Sequence, residues 1–125
     1  MNKYAQVAIN TVNLVNSNGG LPDEVWNEQA NLIFGYGSSS ANKGCPKGAF
    51  LGLCESGFIK GIPTGNYTNS IKNKKYAIKA VAILKEEPNI ANSPKDLWIK
   101  VIDEEKKPNS QMEVVCELFK AGMIV

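Results

Sequence analysis

Helix start and stop signals divide this chain into short segments, and their spacing constrains the possible folds more than any other feature of the sequence. Prolines stand at positions 22, 46 and 94, each after a break, where a first-turn proline costs a helix no hydrogen bond. Gly57 and Gly122 follow apolar segments at positions where a left-handed residue ends a helix. Apolar residues between the breaks recur at helical spacing, as at Ala8, Val12 and Val15. The sequence therefore predicts an all-α fold.

Six helical segments are predicted, beginning near residues 4, 22, 46, 70, 94 and 111. Ser110 and Glu113 have the spacing of a capping box at the start of the last one. Residues 58–62 and 123–125 follow the same helix-ending pattern and predict a minor two-stranded β edge. A chain of 125 residues is long enough for one core. We expect residues 1–125 to form a single compact domain of five or six short helices.

Two residue types are missing, and their absence excludes several kinds of chemistry. The chain has no histidine, which removes histidine-assisted catalysis and imidazole metal ligands. All fourteen basic residues are lysines, so bidentate guanidinium contacts to phosphate or guanine are excluded as well. The three cysteines lack zinc-site spacing, and no phosphate-loop or dinucleotide-binding motif is present. The sequence predicts no metal site and no cofactor.

The apolar residues give no sign of a membrane segment. The longest aliphatic run, residues 80–84, is far shorter than a membrane span, and residues 1–16 interleave polar side chains among the apolar ones. An odd number of cysteines fits free thiols in a reducing compartment. We expect a soluble cytoplasmic protein.

The charge is polarised along the chain. Residues 43–85 carry eight lysines and one acid, Glu55, whereas the flanking segments 1–42 and 86–125 are both net negative. A carboxylate near a helix end, as predicted for Glu55, needs a partner, and Lys60 or Lys72 is the expected one. This separation of charge is typical of a protein that binds an anion, or of one whose basic and acidic segments pair with each other. In the second case these lysines pair with the acidic residues Asp103, Glu104 and Glu105.

The loop before the fourth helix is the most site-like segment, because it places hydroxyls, amides and lysines beside unpaired helix N–H groups. The loop of residues 35–44, rich in glycine and serine, is expected to act as a mobile flap over it. The candidate ligand-binding residues are Lys47, Thr64, Asn66, Tyr67, Thr68, Ser70, Lys72, Asn73, Lys74 and Asn109.

Two other features have a functional and a structural interpretation. Cys45 precedes Pro46 near a helix start, where the helix dipole and adjacent lysines favour a thiolate nucleophile, yet a small residue packed beneath the loop is the favoured interpretation. Gly48 and Gly52 share one helix face, where they allow close approach of a ligand or, as we favour, of another helix. Cys54 and Cys116 lie on apolar faces and are expected in the core.

The stretch from Cys45 to Glu55, CPKGAFLGLCE, together with GIPTGNY (61–67), KNKKYA (72–77) and NSQM (109–112), resembles a family of small uncharacterised bacterial proteins. Some small proteins of this kind are carried in mobile gene cassettes such as those of integrons. The resemblance implies a free-standing bacterial domain and assigns no activity. We interpret Asn109 to Gln111 as a helix cap that also makes polar contacts to residues 72–76, and this packing is a hypothesis.

Four functions remain open from the sequence. The first is a binding module with a cationic cleft for a small anionic or phosphate-bearing ligand. The second is nonspecific nucleic-acid binding through the basic segment, which without arginine rests on phosphate contacts. The third is a homo-dimer or partner-binding protein without catalysis, and the fourth is an enzyme with Cys45 as nucleophile. Since no base accompanies Cys45 in the sequence, we favour a protein that is not an enzyme.

Overall fold

The computed structural model describes all 125 residues, of which 64% are helical. A 3-10 turn, Pro88–Asn92, lies between the fourth and fifth helices and was not predicted. The six α-helices are α1 (Lys3–Asn18), α2 (Pro22–Phe34), α3 (Gly44–Glu55), α4 (Ile71–Glu86), α5 (Pro94–Val101) and α6 (Gln111–Lys120). The predicted all-α class is confirmed. No helix combines the length and the apolar composition that crossing a membrane requires.

The only β-structure is one antiparallel bridge between Ile59 and Ile124. The N–H of Lys60 donates to the carbonyl oxygen of Met123 at 2.9 Å, and the N–H of Val125 donates to that of Phe58 at 2.9 Å. The predicted two-stranded edge is therefore confirmed at the scale of a single bridge. It attaches the last residues of the chain to the segment that follows α3.

Helix α3 is the centre of the fold, with eight of its twelve residues buried. It is apolar on most of its circumference, as a helix surrounded by others must be. A Cβ atom at Gly52 would lie 2.7 Å from the Cα of Lys74, and one at Gly48 would lie 2.7 Å from the Oγ of Ser70. Both glycines thus allow the close packing of α4 on α3, which is the interpretation that the sequence favoured.

Two cysteines belong to this core. Cys54 in α3 and Cys116 in α6 are fully buried and unpaired. Burial raises the pKa of the Cys54 thiol far above its ordinary value and that of Cys116 to about 12, so both remain protonated. The prediction that these two thiols are core residues is confirmed.

The start of α6 differs from the predicted capping box. Ser110 has a φ of 64°, in the left-handed region, and its side chain caps no N–H of the helix. A capping serine needs an extended backbone to aim its hydroxyl at the first turn, which a left-handed residue does not provide. The Ser110 Oγ instead accepts a hydrogen bond from Nδ2 of Asn2 at 3.3 Å, and this bond connects the residue before α6 to the residue before α1.

Candidate functional site

A cavity of about 840 Å³ lies where the first turns of α3 and α4 meet the residues that precede α6. Three of its thirteen lining residues are hydrophobic, and none is acidic. The lining residues are Lys43, Gly44, Cys45, Lys47, Gly48, Leu51, Asn66, Tyr67, Thr68, Asn69, Ser70, Asn73 and Asn109. We call this space the amide-lined cavity, since it is walled largely by asparagines and backbone.

Two helix N-termini that lack caps contribute to the electrostatics of the amide-lined cavity. Lys43 and Ser70, the residues before α3 and α4, form no side-chain cap, and neither helix has an acid in its first turn. The N–H groups of Gly44 and Cys45 have no acceptor in the protein. Unpaired N–H groups and the positive end of the helix dipole both favour negative charge, and Lys43 and Lys47 add two cations.

Glu55 fixes the loop that forms one wall of the cavity. Its Oε1 accepts hydrogen bonds from the N–H groups of Tyr67, at 2.8 Å, and Thr68, at 3.0 Å. Its Oε2 accepts from Nζ of Lys74 at 2.6 Å. The bond from Lys74, followed by those from the two backbone groups, lowers the pKa of Glu55 to about 2. Glu55 is therefore an ionised structural clamp.

The expectation that Lys60 or Lys72 pairs with Glu55 is wrong. Lys74 occupies this position because Gly52, one helical turn before Glu55, lets the backbone of α4 come close. Helix periodicity, together with this close approach, selects the partner, and neither the sequence distance nor the charge count indicates it.

The structure brings seven of the ten candidate ligand-binding residues to the cavity. Thr64, Lys72 and Lys74 do not line it. Lys72 points away from the cavity because it is rotated by about 200° from Ser70 on the helix. Lys74 shares the α3-facing side of α4 with Ser70 but lies one turn further along, where it binds Glu55. The seven that line the cavity are Lys47, Asn66, Tyr67, Thr68, Ser70, Asn73 and Asn109.

The three residues outside the cavity have other neighbours. Lys72 lies 3.5 Å from Glu104, with both side chains more than half exposed. Lys74 contacts Glu55, and Thr64 lies beside Gly57, where an added Cβ would come within 3.0 Å of its methyl group. Lys72 is the only lysine of the basic segment that forms an ion pair with the acidic C-terminal third. The basic segment is thus largely free of internal partners.

A chain of buried amides lies behind the cavity. Gln111, which is fully buried, accepts the N–H of Asn109 on Oε1 at 2.6 Å and donates from Nε2 to Oδ1 of Asn73 at 3.1 Å. Asn73 in turn donates from Nδ2 to Oγ of Ser70 at 2.8 Å. The predicted polar contact between residues 109–111 and residues 72–76 is confirmed. We call this chain the amide relay.

The candidate residues predicted from the sequence did not include Lys43 or Asn69, and Gln111 entered only through the hypothesis of packing against residues 72–76. A further signal for Gln111 was present, because it shares the buried face of α6 with Val114, Val115 and Leu118. A buried glutamine needs partners and therefore marks a polar network. Lys43 and Asn69 are polar loop residues without a distinguishing local pattern.

Cys45 lines the cavity and is half-buried rather than hidden beneath a loop. No carboxylate or histidine lines the cavity with it, so the structure offers no general base beside the thiol. No three Cys, Asp or Glu side chains are grouped as metal ligands anywhere in the chain.

The loop of residues 35–44 does not cover the cavity as the flap hypothesis requires. Only Lys43 and Gly44 line the cavity. Ala41 is buried in the core, and the hydroxyl of Tyr4 donates to the carbonyl oxygen of Ser40 at 2.8 Å. The loop is thus attached to α1 and to the core, beside the cavity.

Comparisons with known proteins give a family and no activity. No curated protein and no solved structure matches the chain. One family model, described as "Family of unknown function (DUF6979)", matches residues 1–125. This fits the resemblance to an uncharacterised family that the motifs from Cys45 onward carried. Because the match extends over the whole chain, the protein belongs to this family of unknown function.

Proposed function

We propose that the protein binds a small anionic ligand, of the phosphate-bearing class, in the amide-lined cavity. The observation that carries the proposal is the concentration of positive potential in this cavity. The uncapped starts of α3 and α4 meet there, together with Lys43 and Lys47, and no carboxylate lines the space. The ligand would replace water at N–H groups that the protein leaves without acceptors.

The size and lining of the cavity favour a polar metabolite over an apolar one. A volume of about 840 Å³ falls in the range of small-molecule sites, roughly 300–1,000 Å³. Apolar ligands need a largely apolar wall, and only three of thirteen lining residues are hydrophobic. The amides of Asn66, Asn69 and Asn109 supply donors and acceptors for the part of the ligand that carries no charge.

The test is titration calorimetry with inorganic phosphate, pyrophosphate and a nucleotide, at low and at moderate salt. Replacing Lys47 with Gln is expected to weaken binding roughly tenfold, as loss of one charge-assisted contact implies. Lys79→Gln removes the same charge from a part of α4 that does not line the cavity and should leave affinity nearly unchanged. Equal losses in the two variants, or no saturable binding to the native protein, would refute the proposal.

The other functions have less support. Lys72, Lys75 and Lys79 follow one face of α4, but Asp103 and Glu104 line the same shallow groove, which weakens its attraction for nucleic acid. A catalytic role for Cys45 lacks a base. Self-association, a cytoplasmic location, bacterial origin and carriage in a mobile gene cassette remain predictions.

A further inference from the structure

We infer that the amide relay holds the Ser70 hydroxyl as a hydrogen-bond donor aimed into the cavity, so that buried Gln111, which never touches the ligand, is a positioning residue for it. This inference rests on the proposed anion site and specifies how the site selects its ligand. The site thereby favours a ligand that places an oxyanion oxygen at Ser70, because such an oxygen can only accept the hydrogen bond that the hydroxyl donates.

The direction of the relay is fixed by a backbone group. The N–H of Asn109 can only donate, and it lies 2.6 Å from the amide of Gln111. The oxygen of that amide must therefore face Asn109, which leaves its nitrogen facing Asn73 at 3.1 Å. A nitrogen of a neutral amide can only donate, so Asn73 must present its own oxygen to Gln111. An isolated amide could be turned around, but this one could not without placing two donors face to face.

The same reasoning determines the state of Ser70. With its oxygen turned to Gln111, Asn73 presents Nδ2 to the Oγ of Ser70 at 2.8 Å, and the serine oxygen accepts. The hydroxyl proton of Ser70 has no acceptor in the protein, and its N-cap position gives its oxygen no helix N–H to accept. Because Ser70 lines the cavity, this proton is available to a ligand atom there.

Burial keeps Gln111 in one orientation. It is 0% exposed, so its amide cannot turn to water for a replacement partner, and its bond to Asn73 orients that 9% exposed amide at the cavity wall. Gly48 contributes by having no side chain, since a Cβ there would lie 2.7 Å from both Cβ and Oγ of Ser70. A donor held in place before the ligand arrives loses less conformational entropy on binding than a hydroxyl that rotates freely.

A double-mutant cycle tests the relay, with inorganic phosphate and pyrophosphate as the calorimetric probes. Ser70→Ala should weaken binding about tenfold, the effect of one charge-assisted hydrogen bond. Gln111→Met should weaken it by a smaller factor, because the Asn73 amide becomes free to turn. In the double variant Gln111→Met should cost nothing beyond Ser70→Ala, since it acts only through that hydroxyl.

The outcomes separate the inference from the function on which it rests. If the two losses multiply in the double variant, Gln111 acts on the site generally and the relay is wrong, while the anion site stands. If neither probe binds the native protein, both proposals fail. Gln29→Met makes the same substitution at a residue bonded only to Asn10, on α1, and should leave affinity unchanged.

A second measurement covers the case in which Gln111→Met does not fold. In the native protein, the side-chain amide resonances of Gln111, which does not line the cavity, should shift when phosphate is added, because the ligand polarises the bonds from Ser70 through Asn73 to Gln111. In Ser70→Ala the same resonances should no longer respond to phosphate. A response that persists in Ser70→Ala would overturn the relay without any change at Gln111.

Discussion

Replacing Glu55 with Gln should destabilise the protein by about 2 kcal/mol at neutral pH. The carboxylate accepts two backbone N–H groups and the ammonium of Lys74, all between 2.6 and 3.0 Å. Gln keeps the length of the side chain and one acceptor oxygen. It loses the charge that strengthens all three bonds, and its amide nitrogen must face either Lys74 or the two N–H groups.

Two estimates of the magnitude agree. A pKa of about 2, against an ordinary value of 4.5, corresponds to about 3 kcal/mol favouring the ionised form in the folded state. The Lys74 side chain is 34% exposed, so solvent screens part of its contribution, and about 2 kcal/mol remains. Independently, a hydrogen bond to a charged group contributes about 1.5–3 kcal/mol, and the neutral amide retains part of this.

The assay is urea unfolding at several pH values, followed by the fluorescence of the buried Trp26 and Trp98. Because the folded pKa lies below the unfolded one, ionisation of Glu55 stabilises the fold fully above about pH 4.5. This stabilisation is lost as the pH falls towards 2. The native protein and Glu55→Gln should therefore differ by about 2 kcal/mol at pH 7 and converge in acid.

Glu117→Gln is the matched control. Glu117 also pairs with a lysine, Lys120 at 2.8 Å, but the pair is on the surface and Glu117 accepts no N–H of another segment. Its replacement should cost less than about 1 kcal/mol. A Glu55→Gln cost no larger than that of Glu117→Gln, or a difference that stays constant down to pH 2, would contradict the role assigned to the clamp.

Two further predictions concern the core. Gly52→Ala should lower the free energy of unfolding by about 1–3 kcal/mol, because the added methyl group meets the α4 backbone. Gly44→Ala should change it little, since an added Cβ there has no neighbour within 4 Å. Equal effects of the two variants in urea unfolding would refute the packing argument. A neutral disulfide reagent should modify one thiol in the native protein and three in denaturant, because Cys54 and Cys116 are buried and protonated in the fold. It should modify none in native Cys45→Ser. Rapid modification of a second thiol in the native protein would contradict this prediction.

The sequence alone predicted the helices and several of the residues that line the cavity, because its signals were local. Gly57, predicted to end a helix in a left-handed conformation, has a φ of 79° and follows α3. Ser70, Asn73 and Asn109 were predicted as site residues and all line the cavity, although ligand binding by them is a proposal. Proline, glycine and capping residues act within a few positions of themselves, so their effects can be read without the fold.

The partners of polar side chains were the part that the sequence misassigned. Glu55 was expected to pair with Lys60 or Lys72, and the close approach of α4 at Gly52 selected Lys74 instead. Ser110 carried the letters of a capping box, yet its left-handed backbone removed the cap. The first outcome depends on how α4 packs on α3, and the second on the backbone conformation of one residue, neither of which the residue types alone indicate.

By itself, the sequence determined an all-α chain with no histidine or arginine chemistry and with its positive charge concentrated in residues 43–85. Only the tertiary structure decided that the starts of α3 and α4 share one cavity with Asn109, and that Gln111 stands behind it. Helical periodicity is a property of neighbouring residues, whereas a cavity and a hydrogen-bond relay exist only once separate helices are packed. The candidate function therefore depends on the packing of the helices.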